Sequence, residues 1–188
     1  MNYQTLQRTW PEFNQQILAM MKQLGLDALK LECDHAALRV NHVEFAEQLC
    51  NEFAEHGEVI SSNIINGRPI LIIKLNQPMP LGEQSIACVE LPYPANKNYP
   101  VEGWEHIELV FPTPAQNCEQ LAKALITQIP SLESVINGET DINVKMSSPK
   151  GDNERISNPT IAFKLGNICI KVHPHSIETI IKSETNSR

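Results

Sequence analysis

The chain has 188 residues and a net charge of −7. This acidic balance, without a basic stripe that carries interleaved aromatic residues, excludes nucleic acid as an expected partner. The hydrophobic fraction of 41% is that of an ordinary globular protein, and we find neither a signal peptide nor a stretch long enough to span a membrane. The five cysteines are odd in number and form no C-x-x-C pair. We therefore expect reduced thiols in a cytoplasmic protein without membrane contact.

The first half of the chain predicts a helix followed by a β-α-β-β-β unit. Apolar residues at helical spacing follow Trp10-Pro11, where the helix is expected to begin, and Gly25 can end it. β-Branched runs on either side of Asn66-Gly67 predict a two-residue hairpin. The expected elements are strands at 32–40, 58–65, 68–75 and 85–91, a helix capped by Asn41 after the first strand, and a loop at 77–82 before the last.

A proline-rich segment at 92–103 is expected to cross the surface as a linker. The second unit is expected to have strands at 105–111, 141–146, 159–165 and 167–173, a helix at 115–129, a polar connector at 147–155, and a closing helix capped by Ser176. The predicted fold class is α+β. Modules at 1–91 and 104–188 would pair into one curved mixed sheet, with an added N-terminal helix, as one structural domain.

Three patterns recur in the same order in both halves, which indicates an internal duplication. Asp34-His35-Ala36-Ala37-Leu38 is matched by Glu105-His106-Ile107-Glu108-Leu109. The other matches are residues 69–75 with 159–165, which share Pro, Lys and Leu at equal spacing, and residues 86–91 with 167–172, which share a cysteine at the third position.

Side chains alternate between the two faces of a strand, so the sequence predicts the polar face of each module. This face carries His35, Ala37, Arg39, Cys88 and Glu90 in the first module, and His106, Glu108, Cys169, Lys171 and His173 in the second. Three histidines and a carboxylate thus fall on one side of one sheet, as the lining of a cup. Such a set suits a divalent first-row metal, and with room for water it is typical of a catalytic site. We expect a metal there to polarise a carbonyl or to lower the pKa of a bound water.

Motifs spread over nearly the whole chain are Asp34-His35, Asn66-Gly67-Arg68-Pro69-Ile70, Glu90-Leu91-Pro92, Glu102-Gly103-Trp104-Glu105-His106-Ile107-Glu108, Ser147-Ser148-Pro149-Lys150-Gly151, Asn158-Pro159-Thr160 and His173-Pro174. In this order they resemble the YecM family of bacterial proteins. The duplicated units resemble the wider vicinal-oxygen-chelate superfamily, which includes glyoxalase I and extradiol dioxygenases. The resemblance implies the paired-module fold and a metal site, but no particular reaction.

The resemblance also implies a set of metal ligands. The superfamily's first-strand histidines fall on His35 and His106, and its first-module glutamate falls on Glu90. Lys171 stands where the second-module acid is expected, and His173, one inward position further on, is the substitute ligand. The metal is expected to be zinc, iron, nickel or manganese.

Other interpretations of these residues stay open. The two strand-opening histidines could be buried imidazoles paired with the preceding acids, Asp34 and Glu105, although alternation places each acid on the opposite face from its neighbour. Glu90 could form a salt bridge with Arg39 or Lys171.

Further residues are candidates for roles around the metal. Glu108 could be a general base, a ligand or a partner for His106. Arg39, Arg68 and Lys150 at the rim could recognise an anionic substrate, or they are ordinary solvated charges.

The sequence thus predicts a metal-binding protein that binds or transforms a small oxygen-chelating metabolite, with isomerase, lyase or dioxygenase-like chemistry. The alternative is a non-catalytic module that sequesters a metal or a small molecule, since the fold does not decide between them. Both modules lie in one chain, so a monomer is feasible and a homodimer stays open.

Overall fold

The computed structural model describes residues 1–65, 67–148 and 156–185. Its elements in chain order are α1 (Tyr3–Leu24), a 3-10 helix (Leu26–Leu29), β1 (Glu32–Arg39), α2 (Val43–Phe53), β2 (Gly57–Ile65), β3 (Arg68–Leu81), β4 (Gln84–Pro92), β5 (Gly103–Val110), α3 (Cys118–Gln128), α4 (Leu132–Ile136), β6 (Asn143–Ser147), β7 (Thr160–Leu165), β8 (Ile168–His173) and α5 (Ile177–Thr185). Within these ranges, no helix is both long enough and apolar enough to cross a membrane.

The strands of the described residues form one mixed sheet whose halves repeat each other about its centre. The strand order is β2-β3-β4-β1-β5-β8-β7-β6. β1 and β5 pair antiparallel in the middle, and each pairs parallel with the fourth strand of its own module. His35 lies opposite Cys88, and His106 lies opposite Cys169. The duplication seen in the sequence is therefore kept in register, and the predicted α+β fold of two paired modules is confirmed.

Helix α1 joins the two modules on the face of the sheet that carries the hydrophobic core. Leu6 packs into the cluster that includes Phe53 of α2, whereas Ile17 packs into the cluster that includes Phe163 of β7. The Trp10 ring meets the Trp104 ring of β5 edge to face, with centroids 4.8 Å apart. Burial of these large side chains stabilises both halves at once.

The opposite face of the sheet forms the predicted cup, and α5 lies across its first-module half. Ile177, Ile180 and Ile181 of α5 line a small groove together with Ile72 of β3 and Glu90 of β4. The closing helix was predicted, but the sequence did not indicate which half it covers.

The prediction that the first helix begins at Trp10-Pro11 was wrong. Asn2 caps α1, because its Oδ1 accepts a hydrogen bond from the backbone N–H of Thr5 at 2.9 Å, and Pro11 lies inside the helix. The predicted end is confirmed, since Gly25 follows the helix with a φ of 73°, in the left-handed region that favours glycine.

Asn41 holds the linker rather than capping α2. The helix begins after His42. The Asn41 amide donates to the Tyr99 carbonyl and accepts from the Tyr99 N–H, both at 2.8 Å. Residues 93–102 contain no helix or strand, which confirms the irregular linker. Ser176 does cap the last helix, since its Oγ accepts from the Thr179 N–H.

Strand β3 runs through the segment that was predicted to be a loop at 77–82. It continues to Leu81, whereas the strand pairing of β2 with β3 extends only to Leu75. Beyond Leu75, β3 therefore has no β2 partner, and Pro78 and Pro80 lie on an edge strand. A proline lacks the backbone N–H, but on this edge no strand hydrogen bond is lost. The preceding hairpin is confirmed by the pairing of β2 with β3, although Asn66 itself lies outside the described residues.

The second module departs from prediction around its first helix. The expected helix at 115–129 is shorter, and a further short helix, α4, follows it. Asn117 caps α3 by accepting a hydrogen bond from the Gln120 N–H, and a capping signal of this kind decides where a helix begins.

Candidate metal centre

Two β-bulges shape the centre of the cup, where β1 and β5 pair. In the register of this pair, Asp34 is an extra residue of β1 and Glu105 is an extra residue of β5. A bulge interrupts the alternation of side chains and re-aims the residues that it contains. Each acid therefore contacts the histidine that follows it, His35 or His106. The expectation that alternation would keep each acid on the opposite face was wrong.

Each acid orients the imidazole beside it. Asp34 Oδ2 lies 3.2 Å from His35 Nδ1, and Glu105 Oε2 contacts His106 Nδ1. Both histidines are buried: His35 exposes 2% of its surface to solvent and His106 exposes 0%. A carboxylate on one ring nitrogen fixes the orientation of the ring and the tautomer, which is the usual arrangement around a histidine that binds a metal through its other nitrogen.

The Nε2 atoms of His35 and His106 face the carboxylates of Glu90 and Glu108. His35 Nε2 lies 3.6 Å from Glu90 Oε2 and 3.7 Å from Glu108 Oε1, and His106 Nε2 lies 3.2 Å from the same oxygen of Glu108. One ligand atom from each of the four residues lies within 4.8 Å of the others. Ligands about 2.1 Å from one ion in a tetrahedral site are about 3.4 Å apart. These spacings therefore fit a single metal ion.

The atom that most clearly suits a metal is His35 Nε2. It is buried and makes no hydrogen bond within the described part of the chain, because the oxygens of Glu90 and Glu108 near it lie beyond hydrogen-bond distance. A buried polar atom without a partner is costly. An ion among these three residues would satisfy it.

The second module has a lysine, Lys171, at the position where the first module has the carboxylate of Glu90, and its own carboxylate, Glu108, lies on the neighbouring strand. Lys171 is the counterpart of Glu90, since each lies two positions after the cysteine that faces the module's histidine. Glu108 is in register with Lys171 on the neighbouring strand, and Lys171 Nζ donates to Glu108 Oε1 at 2.7 Å. The carboxylate that β8 lacks therefore comes from β5, one strand closer to the centre.

Two glutamates of the cup, Glu90 and Glu105, are held ionised. Burial by itself would raise the pKa of Glu90, but contact with His35 and the charge of Lys171 lower that pKa to about 2. Burial would likewise raise the pKa of Glu105, and contact with His106 lowers it to about 2. Both side chains therefore carry a negative charge at neutral pH.

Glu108 and His35 form a charged pair, in which Glu108 is negative and His35 is positive. Burial opposes ionisation of Glu108, but the positive charges of Lys171 and His35 hold its pKa well below the usual range. Burial would lower the pKa of His35, but the charge of Glu108 and the contact with Asp34 hold it well above the usual range. Without a metal, His35 therefore holds a proton that a metal ion would have to displace.

The charge balance of the cup suits a divalent cation. The carboxylates around the two imidazoles are Asp34, Glu90, Glu105 and Glu108, and the cations paired with them are Arg39 and Lys171. When both imidazoles are neutral, two negative charges among these residues are left uncompensated. One divalent ion would balance them.

His173 lies beside this group rather than within it. Its ring centroid is 6.4 Å from that of His35, and its Nδ1 lies 2.9 Å from the side-chain nitrogen of Asn158. Burial lowers its pKa, so the ring is neutral at pH 7. Its role as a ligand stays a prediction, and so does the role of Glu108 as a general base.

The expected rim residues lie in three different settings. Arg39 Nη2 pairs with Glu105 Oε2 at 3.2 Å, and the guanidinium lies over the Tyr99 ring, so Arg39 belongs to the wall of the site. Arg68 is partly buried at the start of β3. Lys150, like the whole segment 149–155, lies outside the described residues.

The sequence raised the pairing of Asp34 and Glu105 with the histidines only as an alternative to metal binding, and alternation argued against it. The signal was present, since an acid precedes the histidine in both copies of the repeat. Simple alternation hid it, because a bulge depends on how two strands pair and not on one strand alone.

The chain is similar to known proteins over nearly its full length. A family model described as "YecM protein" matches residues 2–184. Protein YecM of Escherichia coli (strain K12) is 41% identical over 177 residues, which cover 94% of this chain and 91% of that protein. An uncharacterized protein of Haemophilus influenzae is 37% identical over 180 residues, covering 93% and 91%. The solved structure "Structural Genomics, Protein EC4020" superposes with a TM-score of 0.80 at 36% identity, covering 97% and 92%.

Proposed function

The chain belongs to the YecM family, and on that premise we propose that it binds a divalent metal in the cup and there binds or transforms a small molecule that chelates the metal through oxygen. The proposed ligands are His35, Glu90, His106 and Glu108. One observation carries the proposal: two buried imidazoles, each oriented by its own bulge acid, turn Nε2 toward a buried carboxylate, Glu108, and a half-buried one, Glu90.

The mixed nitrogen and oxygen ligand set suits zinc, iron, nickel or manganese. A divalent metal in this position supplies Lewis acidity, which polarises a carbonyl or lowers the pKa of a bound water. Lys171 has 24% of its side chain exposed, more than the other charged groups paired in the site. An entering molecule would therefore meet its ammonium group, which offsets negative charge on the bound oxygens.

A non-catalytic binding module is the second candidate function. It is favoured by the low pKa of Glu108, because a carboxylate that holds its negative charge so firmly is a weak general base. In this candidate the same four residues hold a metal, and the cup sequesters its ligand without transforming it.

The remaining expectations are part of the same proposal. The five cysteines are all unpaired, which is usual in the cytoplasm. The proposed partner is a small molecule rather than nucleic acid or a membrane. A monomer is feasible, because both halves of the cup come from one chain, and a homodimer stays open.

Metal content tests the proposal. Untagged protein, purified without chelator and exposed to zinc, iron, nickel or manganese, is analysed by elemental mass spectrometry beside His106→Ala, Glu90→Gln and Glu108→Gln. We expect stoichiometric metal in the parent and loss of metal in the three variants. His42→Ala, which removes an exposed histidine at the start of α2, is the matched control and should keep its metal.

Circular dichroism of each variant separates loss of metal from loss of fold. The glutamine variants keep the shape of the side chain, so they should fold. A parent that stays metal-free with all four metals, or folded variants that keep full metal content, would refute the proposal.

A further inference from the structure

In each module the cup face carries two neighbouring rows of side chains that run in register from the central strand toward the edge of the sheet, and at the centre His35 of one row lies in register with Glu108 of the other. One row repeats the same residue types outward from the centre in both modules: His35, Cys88 and Lys74 in the first, and His106, Cys169 and Lys164 in the second. The other differs, with Ala37, Glu90, Ile72 and Ser61 in the first module, and Glu108, Lys171, Ala162 and Lys145 in the second. We call the second set the divergent row.

In the second module, the divergent row places two lysines on either side of a small residue. Lys171 of β8 and Lys145 of β6 are both in register with Ala162 of β7. Neighbouring strands are about 4.8 Å apart, so the two lysine backbones are about 10 Å apart with only a methyl group between them. Lys145 and the adjacent Lys164 are exposed. This part of the cup is therefore an open, positively charged notch beside the proposed metal ligands.

Within the described residues, Lys145 and Lys164 are available to a ligand, and Lys171 keeps its contact with Glu108. The lysine ion pairs found there involve Lys74, Lys171 and Lys182, and leave Lys145 and Lys164 without one. Ammonium groups bind carboxylate or phosphate as point charges. An anion between Lys145 and Lys171 would also be held next to Glu108, which is in register with Lys171.

The first-module half of the cup cannot take the same group. Its divergent row has Ile72 in place of Ala162, and Ile177 and Ile180 of α5 cover it. An anion there would lose its hydration against apolar side chains, which is unfavourable. The two halves therefore fix the direction in which a charged ligand can lie.

We propose that the ligand of the cup is an oxygen chelator that carries a second anionic group, a carboxylate or a phosphate, and that Lys171 and Lys145 bind this group over Ala162. The chelating end rests on the proposed metal function. The anion site depends only on the lysines, so it can be tested with or without metal.

The test uses two matched pairs of molecules, lactate with malate and glycerate with 3-phosphoglycerate. Within each pair the hydroxy acid that chelates is the same, and the second member adds a carboxylate or a phosphate. Isothermal titration calorimetry of the metal-loaded protein should give about tenfold tighter binding of the charged member, as one charge-assisted hydrogen bond predicts. A larger gain in affinity from glycerate to 3-phosphoglycerate would indicate a phosphate, and a larger gain from lactate to malate would indicate a carboxylate.

Lys145→Met should remove a large part of that preference and leave the binding of lactate and glycerate unchanged, because one of the two charge-assisted contacts to the added group is lost. Lys145 is exposed, so this variant should fold. Lys123→Met makes the same change on the exposed side of α3, which packs on the other face of the sheet, and should keep the preference.

Inorganic phosphate titrated into the metal-free protein separates the two proposals. If the chain takes up no metal, but phosphate binds and Lys145→Met weakens it, the metal function fails and the anion site stands. Equal affinity within both pairs, together with phosphate binding that Lys145→Met leaves unchanged, would overturn the anion site.

Discussion

The two modules share one backbone plan but line the cup with opposite chemistry. Each contributes a histidine oriented by a bulge acid, and each places a cysteine opposite that histidine. In the divergent row, however, the first module offers Glu90 beside apolar side chains, whereas the second offers Glu108 between lysine and histidine. The imidazoles of the two modules are thus a symmetric pair. The divergent row makes the site asymmetric, with an apolar side that α5 covers and an open basic side.

The two bulge acids show the same contrast. Asp34 accepts a hydrogen bond from the backbone N–H of Ile177 at 2.8 Å, so it also anchors the start of α5. Glu105 instead pairs with Arg39, next to the linker. Through Asp34, His35 is therefore linked to α5, which covers the cup. Through Glu105, His106 is linked to Arg39 in the wall of the site.

The largest effect is expected from Lys171→Met, which removes the cation that marks the second module. Without metal, Glu108 would lose its closest cation and keep protonated His35 beside it, so the free energy of unfolding should fall by up to about 3 kcal/mol, the upper range for a lost hydrogen bond to a charged group. Urea denaturation measures it. Added metal should restore most of the loss, because the ion takes over the neutralising charge.

The matched control for this prediction is Lys164→Met in the shared row. Lys164 is exposed, so the change in unfolding free energy should stay within about 0.5 kcal/mol. Equal stabilities of Lys171→Met and the parent without metal would show that Lys171 does not balance the site.

The second-largest expected effect is a loss of metal affinity on neutralising either bulge acid, and it tests whether Asp34 and Glu105 are equivalent. Asp34→Asn and Glu105→Gln should each weaken metal binding about 10- to 100-fold, because a carboxylate behind a ligating imidazole makes that imidazole a better ligand. Competition against a fluorescent chelator measures both. Glu44→Gln, on the exposed side of α2, should have no effect. A loss for one acid only would show that one module alone provides an oriented ligand.

The dependence on pH follows from His35. Its pKa in the folded protein lies above the usual 6.5, so the stability that its proton contributes without metal is fully present below pH 6.5 and is lost as the pH rises through the raised pKa. A metal needs the neutral ring. Apparent metal affinity should therefore rise about tenfold per pH unit until that pKa is passed.

Chelator competition at pH 6, 7 and 8 measures the slope, and calorimetry in two buffers of different ionisation enthalpy counts the protons released. Glu108→Gln removes the main charge that raises the pKa of His35, so any remaining binding should depend less on pH. Metal binding without proton release would contradict the assignment of His35 as a ligand.

The smallest effect distinguishes the covered half from the open half. Lys74 pairs with Glu178 of α5 at 3.2 Å, with about half of each side chain exposed, whereas its counterpart Lys164 has no such partner within the described ranges. Lys74→Met should lower the unfolding free energy by about 0.2–1 kcal/mol, and high salt should remove the difference. A loss no greater than that of Lys164→Met would show that the pair does not hold α5.

The sequence by itself determined that three of the proposed ligands share a face. Alternation along single strands placed His35, Glu90 and His106 together, and the register of the sheet brings them to one point. Local signals were less decisive at the ends of elements. Asn2 takes precedence over Trp10-Pro11 as the start of α1 because its side chain satisfies an N–H that the first turn leaves unpaired.

Only the tertiary structure decided how these side chains are oriented and paired. The bulges at Asp34 and Glu105 arise from the pairing of β1 with β5. The contact of Lys171 with Glu108 joins residues 63 positions apart, and that of Ile177 with Asp34 joins residues 143 positions apart. Alternation is a property of one strand, so the sequence shows it directly. Bulges, register and the covering helix depend on pairing between distant segments, which the pattern of any one segment does not contain.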